Sequence, residues 1–469
     1  MTKLSRNGYI IKKSDYSLKK IKEIKDELTV KPFSYSDIGN GNEKKFRVFL
    51  ESPNKLYLPR FYGMKIFGET ENNTIGEGDK LKLKFNGDLR QEQKPIFNIV
   101  VKTLKEKGGG IINLKCGGGK TVLSLRILVE LNLKTMVVVH KDFLMTQWKD
   151  RIEEFIPEAK IGKIQQNTID IEGKDIVLAM VQSLSMKEYD KDIFNSFGLI
   201  IFDECHHLGA EMFSKCMPKV ASKYMLGLSA TPNRKDGLRK VFEWYIGDIC
   251  YSTKEKSDDY VEVNILKYES EDENYCKIEN GYNGKPNFPK MINKICDYLP
   301  RTKFIIKKTI ELFKDDRNIL ILSDRRGHLD LISKILEKNK ISCGFYVGGV
   351  KPELLREAQK KDIILGTFSM ASEGMDIPKL NTIILSSPKS DIVQAVGRIL
   401  REKKENRKKH PIVIDIKDEI SIFNNQYNKR LQFYKKNKYD INIIDLNGNI
   451  EKVKIRNKKK IDNDKCLID

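Results

Sequence analysis

The chain has 469 residues, 40% of them apolar and 32% charged, with a mean hydropathy of −0.47 and a formal net charge of +21. At about 100–200 residues per domain this length predicts several domains with sizeable cores, and apolar runs such as IVLAMV (176–181) fall far short of the ~18 residues a membrane helix needs. The positive excess is concentrated at the ends, with 18 basic against 11 acidic residues in 1–85 and 19 against 11 in 401–469; this points to a polyanionic partner such as nucleic acid, although a lysine-rich solvated surface gives the same count.

Residues 1–85 mix charged stretches with β-like pieces, FRVFL (46–50) and KLYLPRFY (55–62), and carry no motif with chemistry. From about residue 86 the pattern is regular. Short apolar strands are predicted at 111–114, 136–139, 175–181, 199–202 and 225–228, alternating with helical stretches, as in a parallel α/β sheet. Residues 253–300 turn polar (TKEKSDD, ESEDEN, NGYNGKPN) and read as linker and turn chemistry. A second strand series follows at 318–322, 341–346, 362–366, 381–385 and 411–416, so two related sheet domains are predicted in tandem. The eight cysteines include no CxxC pair, and the opening MTKLSRNGYIIKK lacks the apolar run of a signal peptide, so we expect reduced thiols and an intracellular location.

The strand IINL runs into Lys115-Cys116-Gly117-Gly118-Gly119-Lys120-Thr121 and then an apolar helical pattern. Strand, glycine turn, Lys-Thr and helix are the parts of a phosphate-binding loop: glycines aim backbone N–H groups at phosphate oxygens, the helix start adds a positive dipole end, the lysine reaches the outer phosphates and the threonine hydroxyl can ligate Mg²⁺. The full pattern asks for glycine at position 114, where this chain has Leu114. The strand LIIF ends in Asp203-Glu204-Cys205-His206, two carboxylates of which the first suits a hydrated metal and the second a general base for water. Gln394-Ala395-Val396-Gly397-Arg398-Ile399-Leu400-Arg401 places two arginines on one face of a predicted helix. Such a pair can stabilise charge on a transferring phosphoryl group, although an amphipathic basic helix has the same pattern.

Further stretches fall in order around these: Leu89-Arg90-Gln91-Glu92-Gln93, VVVHKDFLMTQW (137–148), AMVQSL (179–184), Ser229-Ala230-Thr231-Pro232, ILILSD (319–324) and GTFSMASEGMDIP (366–378). The set resembles the superfamily two helicases of the DEAD/DEAH-like group over about residues 86–418. Its finer likeness, carried by CGGGKT, SATPNRKDGL and SMASEGMDIP, is to helicases of large cytoplasmic DNA viruses of the poxvirus transcript-release type and to TFIIH-type translocases.

The resemblance implies an α/β architecture of two RecA-like parallel-sheet domains, 86–258 and 259–418, with an N-terminal accessory domain (1–85) and a basic C-terminal extension (419–469). It implies a nucleic-acid-dependent ATPase that uses ATP and Mg²⁺ to move along DNA in viral transcription. An RNA helicase acting on transcripts is the alternative, and a nucleic-acid-binding scaffold without turnover is the rival from another class. The implied partners are nucleic acid and transcription machinery, with no membrane, a monomeric state, and a location in the virion or host cytoplasm.

By the same resemblance, Gly117, Gly118, Gly119, Lys120, Thr121, Asp203 and Glu204 bind and hydrolyse ATP, with Thr121 and Asp203 on the metal. Gln93 reads adenine; Gln394, Arg398 and Arg401 complete the site; and Asp376 contacts ribose or an arginine. Ser229 and Thr231 couple hydrolysis to motion, His206 links the acidic motif to them, and His140, Lys141, Gln182, Ser183, Thr367 and Gly374 touch the nucleic-acid backbone.

Near the ends, Tyr57, Arg60, Phe61 and Tyr62 read either as a nucleic-acid surface or as core aromatics of a strand. Ile420, Phe423, Tyr427, Leu431 and Tyr434 follow helical spacing and are expected to pack on the second domain, with Lys429, Arg430, Lys435 and Lys436 near solvent. The basic runs at 401–410 and 452–460 read as solvated charge, as a duplex-binding surface or as a targeting signal.

Overall fold

The computed structural model describes residues 2–31, 45–114, 117–207, 210–230, 238–253, 259–281, 284–372, 375, 377–402 and 404–453. The chain divides into two compact units, Met1–Lys254 and Glu255–Asp469. An eight-stranded sheet forms the centre of each.

In the first unit the sheet order is Thr168–Asp170, Ile161–Gln165, Ile176–Met180, Thr135–Val139, Leu199–Phe202, Tyr224–Ser229, Gly109–Asn113, Ile249–Ser252. All pairings are parallel except the edge hairpin Ile161–Gln165/Thr168–Asp170. The inner strands are continuous apolar runs because both faces are covered. Alternation divides them between two cores. Val137, Val139 and Ile201 pack with the helices Gln93–Lys107, Lys120–Leu131 and Asp142–Phe155, while Met136, Val138, Ile200 and Phe202 face the helix Arg239–Ile246 and the N-terminal segment.

That N-terminal segment packs onto the first sheet, with Tyr62 buried and Tyr57, Arg60 and Phe61 half-buried. It forms a four-stranded antiparallel sheet, Lys3–Ser5, Gly8–Lys12, Lys55–Leu58 and Leu50–Glu51. Its Tyr9, Ile11, Leu56 and Leu58 share one core with Met136 and Ile200. The stretch 55–62 is not one strand: Pro59 ends it and caps the helix Arg60–Phe67, since proline favours extended geometry before it and starts helices well. Arg60 donates to the carbonyls of Ser222 and Lys223 and lies over the Phe61 ring, and Tyr62 is buried with its hydroxyl on Glu27.

In the second unit the order is Cys343–Tyr346, Ile363–Thr367, Ile319–Ser323, Thr382–Leu385, Ile412–Asp418, Glu262–Tyr268, Asp440–Ile444, Ile450–Lys452, antiparallel only at the last pair. Glu262–Tyr268 lies inside the stretch read as linker, and Asp440–Ile444 inside the stretch read as a basic extension. The two pair with each other, so both stretches are woven into the sheet of this unit.

The expectation that Arg430 sits near solvent is corrected. It is 2% exposed, and its Nε donates to both oxygens of the buried Asp415, 2.8 Å and 3.1 Å away. Tyr434 donates to the same carboxylate. A carboxylate on an inner strand requires a counter-charge, and the helix Asn424–Lys436 supplies it. A second buried pair, Arg301 with Asp418, anchors the helix Leu299–Lys314 to the same strand. Among the described residues no helix is long and apolar enough to cross a membrane.

Candidate active site

In the first unit the glycine loop, the acidic pair and the segments at 140–148, 181–184 and 229 lie at or just past C-terminal ends of parallel strands, where open α/β sheets bind ligands, while the stretch 89–93 leads into the helix Gln93–Lys107. The strand feeding the glycine loop, Gly109–Asn113, and the strand feeding the acidic pair, Leu199–Phe202, flank the strand Tyr224–Ser229. The Leu114 N–H donates to the Ser229 carbonyl, and the Leu114 side chain is buried in the core. This position therefore serves packing, which explains how the chain dispenses with a glycine there.

Gly117 and Gly119 have φ of 78° and 71°, a region open to glycine. A Cβ on Gly119 would lie 2.3 Å from Gln93 Nε2. The Gln93 amide is buried against the loop and donates to the carbonyls of Gly118 and Gly119, 3.2 Å each. Its carbonyl oxygen accepts the Arg90 N–H. Thr121 stands in the first turn of Lys120–Leu131. The Lys120 ammonium lies 3.3 Å from Glu204 Oε1 and donates to the Leu114 carbonyl at 3.3 Å.

Asp203 is 7% exposed. Its Oδ2 accepts the Trp148 indole N–H at 2.8 Å, and its Oδ1 accepts the Glu204 N–H at 2.9 Å. Burial raises the Asp203 carboxyl to about 6 and the Glu204 charge adds to the rise; the Trp148 hydrogen bond and the Lys120 ammonium oppose it. Glu204 has a left-handed backbone, φ 44°, an outlier of the kind that concentrates at functional sites. Its Oε2 is 3.3 Å from His206 Nδ1, which is in turn 2.9 Å from the buried Ser229 hydroxyl. Glycine loop, acidic pair, His206 and Ser229 thus form one connected set.

The predicted nucleic-acid residues of this unit separate. Gln182 donates to the His140 carbonyl at 2.8 Å, which brings those two segments together, and Lys141 precedes the helix Asp142–Phe155. Ser183 is turned inward, its hydroxyl accepting the Gln166 N–H. Thr231 lies outside the described residues.

In the second unit, Gln394 is in the short helix Val393–Val396, and Arg398 lies on the 3-10 turn Gly397–Leu400 that continues it, with Arg401 directly after. The helix expected to carry both arginines is therefore mostly a 3-10 turn, in which residues three apart still share a face. Arg398 is buried, and its guanidinium donates to the carbonyls of Ala371 and Met375. Thr367 ends the strand Ile363–Thr367, its hydroxyl 3.3 Å from that of Ser369. Gly374 and Asp376 lie outside the described residues.

Residues 86–234 match the family "Type III restriction enzyme, res subunit", and residues 302–403 match "Helicase conserved C-terminal domain". A protein of Acanthamoeba polyphaga mimivirus named "Putative ATP-dependent RNA helicase L396" is 38% identical over 450 residues, spanning 94% of this chain and 86% of that protein. The chain belongs to the superfamily two helicases. A second relative, "DNA 3'-5' translocase XPB2" of Sulfurisphaera tokodaii, is 27% identical over 71% of this chain and 83% of its own length. In fold, the helicase resembles a fragment of a HsdR subunit of a type I restriction enzyme from Vibrio vulnificus (TM-score 0.52, 19% identity, 78% of this chain and 71% of that one). It also resembles the Saccharomyces cerevisiae Dbp5 structure (TM-score 0.52, 11% identity, 75% and 89%). The two sheets are tandem RecA-like helicase domains, and the protein is an ATP-driven helicase or translocase, a nucleic-acid-dependent ATPase.

The helicase site fits a magnesium nucleotide on its own geometry. Two adjacent carboxylates, one buried with its charged form disfavoured, lie beside the Lys120 ammonium and a glycine cradle, a donor set suited to a hard cation and a polyphosphate. Two residues, one in each unit, escaped the sequence reading. Trp148 closes the VVVHKDFLMTQW stretch, and its signal was an indole on the apolar stripe Leu144, Met145, Trp148, Ile152, where a buried N–H must find an acceptor. Arg407, read as part of a solvated basic run, donates to the carbonyls of Leu400 and Glu402 on either side of Arg401 and to Asp259 at 2.8 Å. It is only 11% exposed.

Proposed function

We propose that Gly117, Gly118, Gly119 and Lys120 hold the phosphates of ATP, that Thr121 and Asp203 hold Mg²⁺, and that Glu204 accepts the proton of the attacking water. The observation that carries this reading is the Lys120–Glu204 contact of 3.3 Å beside buried Asp203: a phosphate-binding cation and a general base meet at one point. Bound there, Mg²⁺ would neutralise charge on the phosphate oxygens. Lys120 exchanges its carboxylate partner for a phosphate, which frees Glu204 to orient water in line with the γ-phosphorus. Gln394, Arg398 and Arg401 meet the same triphosphate in the ATP-bound state, so its cleavage changes how the second unit is held. Asp376 joins them at ribose or at an arginine, and Gln93, besides bracing the loop, faces adenine.

Gripping by His140, Lys141, Gln182, Thr367 and Gly374 then alternates along a nucleic-acid backbone, with little sequence preference and strong salt dependence. We favour DNA as the track, in viral transcription and in the virion or host cytoplasm, as the motif likeness and the named DNA translocase relative support. The name of the mimivirus relative favours RNA instead. An ATPase panel with duplex DNA, single-stranded DNA and RNA at fixed salt decides between them: stimulation by DNA above RNA is expected, and stimulation by RNA alone overturns the DNA reading.

A further inference from the structure

The Trp148 indole is 1% exposed, two turns into the helix Asp142–Phe155, and its single N–H is spent on Asp203 Oδ2 at 2.8 Å. The other carboxylate oxygen is tethered to the Glu204 N–H. One oxygen is therefore fixed by the local turn and the other by a group 55 residues away in sequence. An indole N–H only donates. It carries no charge, does not titrate, and cannot ligate a metal or trade its proton with the carboxylate. In its place a serine hydroxyl would rotate, a histidine could ligate the cation itself, and a lysine ammonium would compete with the cation for the carboxylate. The ring is also clamped in the apolar core formed by Leu144, Met145 and Ile152, which holds the donor's direction.

We propose that Trp148 is a positioning residue for the metal-binding carboxylate: it aims Asp203 so that the outward lone pairs face the cation. This rests on the assignment of Asp203 to magnesium, and it adds that the chain carries a built-in reporter of that ion. The chain has two tryptophans. The other, Trp244, packs edge-on against Tyr62 in the core shared with the N-terminal segment.

The experiment uses full-length Trp244→Phe protein, in which Trp148 is the sole indole. Its emission is followed while Mg²⁺ is added to protein saturated with a non-hydrolysable ATP analogue in the absence of divalent ions. A saturable change in emission is expected on adding Mg²⁺, and the analogue alone in EDTA should give none. No Mg²⁺-dependent change, or an equal change with the analogue in EDTA, overturns the proposal. In parallel, Trp148→Phe keeps an apolar ring and removes the donor. The Mg²⁺ concentration for half-maximal ATPase should rise about tenfold, the loss expected for one hydrogen bond to a charged group, with KM for ATP at saturating Mg²⁺ unchanged. A Trp148→Phe protein with wild-type Mg²⁺ dependence also overturns it. Asp203→Asn separates the two levels: if that protein hydrolyses ATP normally, the magnesium assignment itself has failed.

Discussion

Lys120 and Glu204 stand 3.3 Å apart, one from the glycine loop and one from the turn after a strand two places away in the sheet. Both side chains are largely withdrawn from water, so each needs the other until a phosphate arrives. Glu204→Gln keeps the size and removes the proton acceptor. Its kcat should fall about 10²–10⁴-fold with ATP affinity retained. Lys120→Ala should abolish hydrolysis while nucleic-acid binding persists. Steady-state ATPase and equilibrium binding measurements check both, and strong nucleic-acid-stimulated turnover by Lys120→Ala would refute the assignment.

The Ser229 hydroxyl, 2.9 Å from His206 Nδ1, is two contacts removed from the proposed base. Ser229→Ala removes the hydroxyl's hydrogen bond to His206, a net loss of about 1 kcal/mol or roughly fivefold. ATPase should therefore fall by no more than that. Strand displacement or translocation per ATP should fall much further, because the contact joins the hydrolytic turn to the strand beside it. Measuring both on one preparation tests the coupling role, and parallel losses would argue against it.

Arg398 makes two hydrogen bonds to carbonyls four residues apart, Ala371 and Met375. The guanidinium reaches them with two different nitrogens, Nε and Nη1, which the single nitrogen of a lysine does not reproduce. Arg398→Lys should thus behave like Arg398→Ala, with slow hydrolysis at saturating ATP and unimpaired nucleotide binding. A finger-type arginine loss is about 10³–10⁵-fold. An equally severe loss of ATP binding, as in Lys120→Ala, would exclude the finger role for this residue.

Much of this arrangement was legible in the sequence because the signals are local. A strand followed by a glycine turn and Lys-Thr, or by Asp-Glu, fixes its own geometry, and the strands around 111, 136, 199, 225, 319, 363, 382 and 412 are apolar enough to announce themselves. What escaped depends on partners distant in sequence. Glu262–Tyr268 alternates, EVNILKY, between polar segments, and its place beside Ile412–Asp418 and Asp440–Ile444 is set only by tertiary pairing. Arg430 and Arg407 looked like solvated charge because nothing nearby in sequence reveals Asp415 or the carbonyls of Leu400 and Glu402. The Trp148–Asp203 bond links two motifs, and neither shows it alone.

A last expectation concerns pH. His328 is buried between the Ser323 hydroxyl, 3.1 Å from Nδ1, and the Thr302 hydroxyl, 3.3 Å from Nε2. Burial, with the nearby Arg301 charge, lowers its pKa to about 3 from 6.5. Between those values the unfolded chain binds a proton that the folded chain refuses. The stability it contributes is whole above about pH 6.5 and is lost as the pH falls toward 3. At pH 5 the loss is about 2 kcal/mol relative to pH 7. His328→Asn, which can still hydrogen-bond the two hydroxyls, removes the titrating group. Urea midpoints at pH 7 and pH 5 should therefore drop further for the wild-type protein than for the variant, by about that free energy. Equal drops would mean that His328 takes up its proton in the folded state as readily as in the unfolded one.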